Sequence, residues 1–130
     1  MKKITICGKE YEISSNAYTR IIYKRTFGSG IFKDLKVLSE FANKQNDYIK
    51  SLEGEELTQE EKDKKVGLFV LEIIDDFIEV IEQMAYALIL TANPKINVSY
   101  ESFLQGIEEI NFSEGWIGEV TEMAVSSFRG

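Results

Sequence analysis

The chain has 130 residues, 44% of them hydrophobic and 28% charged, with one cysteine, no histidine and a formal net charge of −7. That is the composition of one globular domain, large enough to bury roughly two thirds of its unfolded surface without metals or disulfides. It excludes a disordered chain, an internal disulfide and a general binder of phosphate backbones, and the lone Cys7 fits a reducing cytoplasm.

Met1-Lys2-Lys3 and the polar-apolar alternation after it lack the apolar run of a signal peptide. Ile4 and Ile6 alternate with Thr5 and Cys7, Gly8-Lys9 suits a two-residue turn, and Tyr11 and Ile13 return to the same face. This predicts a β-hairpin over residues 1–13 with Cys7 opposite Glu10 and its apolar face laid on helices, because two strands alone are marginal in water. Ser14 or Ser15 is expected to cap a helix that runs to about Phe27 with Ala17, Tyr18, Ile21 and Ile22 inward, stopped by Gly28-Ser29-Gly30.

A second helix follows, with Ile31, Leu35, Leu38, Phe41, Ala42, Tyr48, Ile49 and Leu52 at helical spacing; Asn43 to Asp47 mark a place where it can be interrupted. Residues 53–65 are almost wholly polar and are read as an acidic loop that becomes the exposed start of a long helix, with Thr58 and Glu61 as a capping box and Gly67 as a place for a bend. In that helix Val66, Phe69, Val70, Ile73, Ile74, Phe77, Ile78, Val80, Ile81, Met84, Ala85 and Leu88 fill about half the circumference. Glu72, Asp75, Asp76, Glu79, Glu82 and Gln83 gather on the other side, and those charges exclude a membrane span. An apolar arc so wide predicts the central post of a bundle, with neighbours over most of its girth.

Asn93-Pro94 ends the long helix, since the residue before proline is pushed out of helical geometry. Ser99 caps a short helix, with Val98 and Phe103 as a hydrophobic staple and Leu104, Ile107 and Ile110 continuing the inner face. A last helix is expected from about Ser113, carrying Trp116, Ile117, Val120, Met123, Ala124 and Phe128. The predicted fold is therefore mainly α: a single-domain helical bundle around one long central helix, with a short N-terminal β-hairpin.

Charge is uneven. Residues 1–52 carry 10 Lys/Arg against 5 Asp/Glu, residues 53–83 carry 3 against 11, and residues 84–130 carry 2 against 6. The basic first third is expected to lie beside the acidic stripe within the fold. Like charges four apart on a helix, such as Asp75 with Glu79, repel, so Lys or Arg from this chain or another is expected opposite them.

No catalytic constellation emerges. Without histidine, the usual general base, the Ser/His and Cys/His nucleophile pairs and the common zinc sites are absent. Gly28-Ser29-Gly30 follows a helix and lacks the Gly-Lys-Ser/Thr of a phosphate loop. Asp75, Glu79 and Glu82 share a helix face without the ligand spacing of a calcium loop. No enzyme activity, cofactor or metal is expected.

With a short N-terminal hairpin ahead of them, Tyr23-Lys24-Arg25-Thr26-Phe27-Gly28 at a helix end, Met84-Ala85-Tyr86-Ala87-Leu88 leading to Ala92-Asn93-Pro94, then Ser99-Tyr100-Glu101-Ser102-Phe103-Leu104 and a closing helix with Trp116 form a recognisable order. Over most of the chain it resembles the tail assembly chaperones of long-tailed bacteriophages and prophages of Gram-positive bacteria. The resemblance implies a non-enzymatic protein of the host bacterial cytoplasm, absent from the mature virion. Such a protein binds the hydrophobic, helical tape measure protein and helps bring tail tube subunits to it. It also implies a capacity for homo-oligomers, and many members have a longer, frameshifted form of which this chain would be the short one.

A holdase of this kind needs exposed apolar surface for an incoming helix. Phe103, Phe112, Trp116 and Phe128 are the expected partner-binding residues, because short C-terminal helices offer the least cover. Two other classes stay open: an acidic protein-binding inhibitor or nucleic-acid mimic, and a small enzyme working with Asp, Glu and Tyr alone.

Overall fold

A computed structural model describes residues 1–108 and 115–128 of the chain. The fold is mainly α. Strands β1 (Lys2–Ile6) and β2 (Lys9–Ile13) form an antiparallel hairpin, followed by helices α1 (Ala17–Phe27), α2 (Ile31–Ser51), α3 (Gln59–Ala92), α4 (Tyr100–Gln105) and α5 (Gly115–Phe128).

The hairpin forms with a different turn from the one expected. Cys7 and Gly8 are the two turn residues, with φ of 48° and 82°, and Ile6 pairs with Lys9 and Ile4 with Tyr11. Positive φ at both positions is the type I′ geometry whose twist matches the strands, so glycine is needed second rather than first. The shift moves the register by two residues, which leaves side-chain parity unchanged. Ile4, Ile6, Tyr11 and Ile13 therefore still share one face, and the three isoleucines are buried.

Helix α1 begins one or two residues later than expected. Asn16 is its cap: the side chain accepts from the Tyr18 N–H at 2.8 Å, while the Thr19 hydroxyl returns to the Asn16 N–H at 3.1 Å. The Ser14 N–H instead donates to the Leu88 carbonyl at 3.2 Å, which ties the hairpin exit to α3. The inner face is correspondingly rotated. Thr19, Ile22 and Tyr23 are buried, whereas Ala17, Tyr18 and Ile21 are exposed. Thr19 is tolerated there because its hydroxyl meets that of Thr91 at 2.7 Å, and Thr91 in turn donates to the Ala87 carbonyl. Gly28 ends α1 in the left-handed region at φ 75°, where a side chain would be strained.

Helix α2 continues without a break through Asn43 to Asp47. Of its expected inward residues, Ala42 has a side chain outside those described. Thr58 caps α3 by accepting from the Glu61 N–H at 3.1 Å, and its hydroxyl also donates to the Glu61 carboxylate, so the capping box is only half of the reciprocal kind. Asn93 closes α3 ahead of Pro94, and Ser99 caps α4. Ile110, Phe112 and Ser113 lie outside the described residues.

The core gathers at one end of the long helix. Ile4, Ile6 and Ile13 of the hairpin, Ile22 and Tyr23 of α1, Ile31, Leu35 and Leu38 of α2, Phe103 of α4 and Trp116, Ile117 and Val120 of α5 close around α3 between Val80 and Ile89. Aromatic edges join four elements there: Tyr11 with Phe103 at 5.8 Å, Phe27 with Tyr100 at 4.8 Å and Tyr86 with Tyr100 at 5.3 Å. The Tyr86 hydroxyl donates to the Val98 carbonyl at 2.5 Å, holding the loop before α4 against the post.

Only that half of α3 is a covered post. No residue of α3 before Val80 is buried. There α3 is half of an antiparallel pair with α2, fastened by Phe41 on Phe77 and Tyr48 on Phe69, each pair stacked at 4.3 Å. A single neighbouring helix occludes only part of a helix circumference, so the residues of the apolar arc before Val80 are half-buried along this two-helix arm.

Candidate functional site

The arm carries an apolar row that the described residues leave partly open to solvent. Gly67, Leu71, Ile74 and Ile78 follow one another at spacings of four, three and four residues, which stacks them along one face of α3. Leu71 is 67% exposed, Leu68 beside it is 55% exposed, and Ile74 and Ile78 are half-buried. A side chain at Gly67 would meet open space, so the tip end of the row is flat. The row is continuous with Ile81, Ala85 and Leu88, which the rest of the fold buries. The face is thus the uncovered extension of a core-forming stripe.

Acids border the row on one edge. Leu68, Asp75 and Glu82 succeed each other every seven residues, with Glu72, Asp76 and Glu79 further round. From Leu68 through Glu82 there are five acids and no Lys or Arg. The expected counter-charge from within the chain is missing: among the described residues, ion pairs join Lys2 with Glu119, Lys36 with Glu40 and Lys65 with Glu55, and none reaches this edge. Lys44 of α2 lines a groove with Glu72 and Asp76, so one basic residue of the first third does lie beside the stripe, although it forms no ion pair with either acid. Burial, and secondarily the neighbouring Glu79, raises Glu82 above the usual carboxylate value.

The other polar cluster lies where α1, α2 and α3 meet. The Tyr23 hydroxyl donates to Asp34 at 2.5 Å and lies 2.9 Å from the Gln83 amide oxygen, Ser29 donates to the second Asp34 oxygen at 3.0 Å, and the Gln83 amide donates to Glu79 at 3.3 Å. Ser29, Asp34, Glu79 and Gln83, with Asp76, edge an open groove of about 250 Å³. Burial, then the Asp34 carboxylate, raises the Tyr23 phenol far above its ordinary value, so it is a fixed donor rather than a base. Both Asp34 oxygens are already engaged. Three acids approach one another here, yet the network knits α1 to the α2–α3 pair. Among the described residues no group of three or more His, Cys, Asp or Glu has metal-binding geometry.

The aromatic residues expected to receive a partner are placed elsewhere. Phe103 and Trp116 are each 3% exposed and Phe128 is 8% exposed, so exposure fails for these three; Phe112 lies outside the described residues. The reason is packing. Phe103 is enclosed by Tyr11, Tyr86 and Tyr100, Trp116 belongs to the central core, and Phe128 meets Phe32 edge-on at 6.2 Å. The exposed apolar residues that matter, Leu68 and Leu71, fall outside the apolar arc drawn from the sequence. Their signal in the sequence is two leucines one turn apart, Leu68 and Leu71, at the edge of the acidic stripe.

No helix among the described residues is long and apolar enough to cross a membrane. Compared with protein-family models, with curated protein sequences and with solved structures, the chain matches none.

Proposed function

We propose that this chain is a non-enzymatic phage tail assembly chaperone that holds the hydrophobic, helical tape measure protein in the bacterial cytoplasm and helps recruit tail tube subunits to it. The observation that carries the helix-holding part is the row Leu71, Ile74 and Ile78, exposed at Leu71 and half-buried at the two isoleucines, with exposed Leu68 at its edge, set on a two-helix arm away from the core. An apolar row at helical spacing on an open two-helix surface is the geometry that accepts a third amphipathic helix. The same row on a core-facing helix would be covered by the fold. The unneutralised acids beside it favour solubility while the face is empty. The tail-assembly part rests on the order of elements and apolar pattern described from the sequence.

The test is co-expression with the tape measure protein encoded beside it. The chaperone should keep that protein in the soluble fraction and co-purify with it, and Leu71→Ser should abolish both without lowering the melting temperature. Solubilisation equal to wild type with Leu71→Ser, or genes for neither a major tail protein upstream nor a long tape measure downstream, would overturn the reading.

A further inference from the structure

We infer that the helix taken by this face is amphipathic with lysine or arginine along one edge, an inference that rests on the helix-holding reading above. Apolar contact alone would accept any greasy helix; the acids make the face selective. A helix laid over Leu71, Ile74 and Ile78 runs with one flank against Asp75 and Glu82, and among the described residues no cation pairs with either. Apolar cover from the incoming helix reduces the water around those carboxylates, which strengthens attraction to a cation and repulsion from an anion. The opposite flank of the row adjoins Val70 and Phe77 on the side facing α2, so only one edge of the partner is selected for charge.

A second copy of the chain has the wrong chemistry for this seat. Two arms packed antiparallel about the centre of the row bring the Asp75 carboxylates of both copies together on the same flank, and each copy adds five acids and no cation from Leu68 through Glu82. The repulsive edge therefore selects against self-pairing at the position where it selects for a basic-edged foreign helix.

Two synthetic peptides of about 20 residues test this, long enough to span the row as helices. They share one leucine-rich seam and differ only at the flanking positions, lysine in one and glutamate in the other. Fluorescence anisotropy against the full chain should show the lysine peptide binding and the glutamate peptide at least about tenfold weaker, the gap shrinking as salt is raised. A variant with Asp75→Lys and Glu79→Lys should invert that order, and Leu71→Ser should weaken the lysine peptide. Equal binding of both peptides overturns the charge selection and leaves helix holding in place. Lysine-peptide binding unaffected by Leu71→Ser overturns the seat itself. Failure of both peptides overturns this inference and helix holding together. Wild-type dimers in sedimentation that Leu71→Ser disperses, with no peptide bound, assign the face to a second copy and overturn it as well.

Discussion

The rings of Tyr48 and Phe69 lie 4.3 Å apart with their planes only 9° from parallel, and they fasten α2 to α3 near the free end of the arm. Both residues are half-buried, and beyond them Leu52 is buried at the end of α2. Tyr48→Ala should cost about 1 kcal/mol beyond the lost apolar cover, the typical worth of such a pair. The loss should be local. Hydrogen exchange is expected to quicken over residues 41–77 while the amides of Ile22 and Val120 keep their protection; equal loosening throughout would mean that arm and core unfold as one unit.

Tyr23→Phe should destabilise the chain by about 1–3 kcal/mol, because it removes a hydrogen bond to a carboxylate and leaves Asp34 short of a donor. The variant also changes the alkaline limb. A phenol raised in the folded state stabilises the fold fully below its unfolded value of about 10 and loses that contribution as pH rises through the higher folded value. Wild-type stability should therefore fall above about pH 10 more steeply than that of Tyr23→Phe. Parallel alkaline limbs in chemical denaturation would show that this phenol is not held as described.

Phe103→Ala and Trp116→Ala should unfold the protein or lower its stability by about 3–5 kcal/mol, the usual cost of emptying a large aromatic site in a core. Stability of small domains totals only about 5–15 kcal/mol, so either variant should melt far below wild type by circular dichroism. An unchanged melting temperature with lost partner binding would restore these residues as a contact surface.

What was legible in the sequence was local chemistry. Thr58, Ser99 and Asn93-Pro94 mark helix limits where the structure has them, because a cap or a proline acts on its own backbone neighbours. Ser14, Ser15 and Asn16 are all good caps, and the choice among them was made at a distance, by the Leu88 carbonyl that takes the Ser14 N–H. Thr19 reads as a surface residue until Thr91 is placed opposite it from the far end of α3. The same gap hid the candidate site. Periodicity draws the apolar arc of α3 correctly but carries no information on how far along the helix its neighbours reach, and that reach decides whether Ile74 and Ile78 are core or contact surface.

Glu82 gives a final prediction that separates burial from surface charge. Its carboxyl is raised in the folded protein, first by burial and then by Glu79, so the ionised form is disfavoured there relative to the unfolded chain. Such a group contributes stability fully below its unfolded value and loses that contribution as pH rises through the higher folded value. At neutral pH the wild type carries the full cost, and Glu82→Gln should melt at a higher temperature. On acidification through the folded value towards the ordinary glutamate range of about 4.3, the difference should shrink towards zero, because both forms are then neutral. Glu79→Gln should move the crossing to lower pH by removing the second cause of the shift. If Glu82→Gln instead melts below wild type at neutral pH, Glu82 is paired with a cation in solution, and the bare acidic edge from which a basic partner is inferred does not exist.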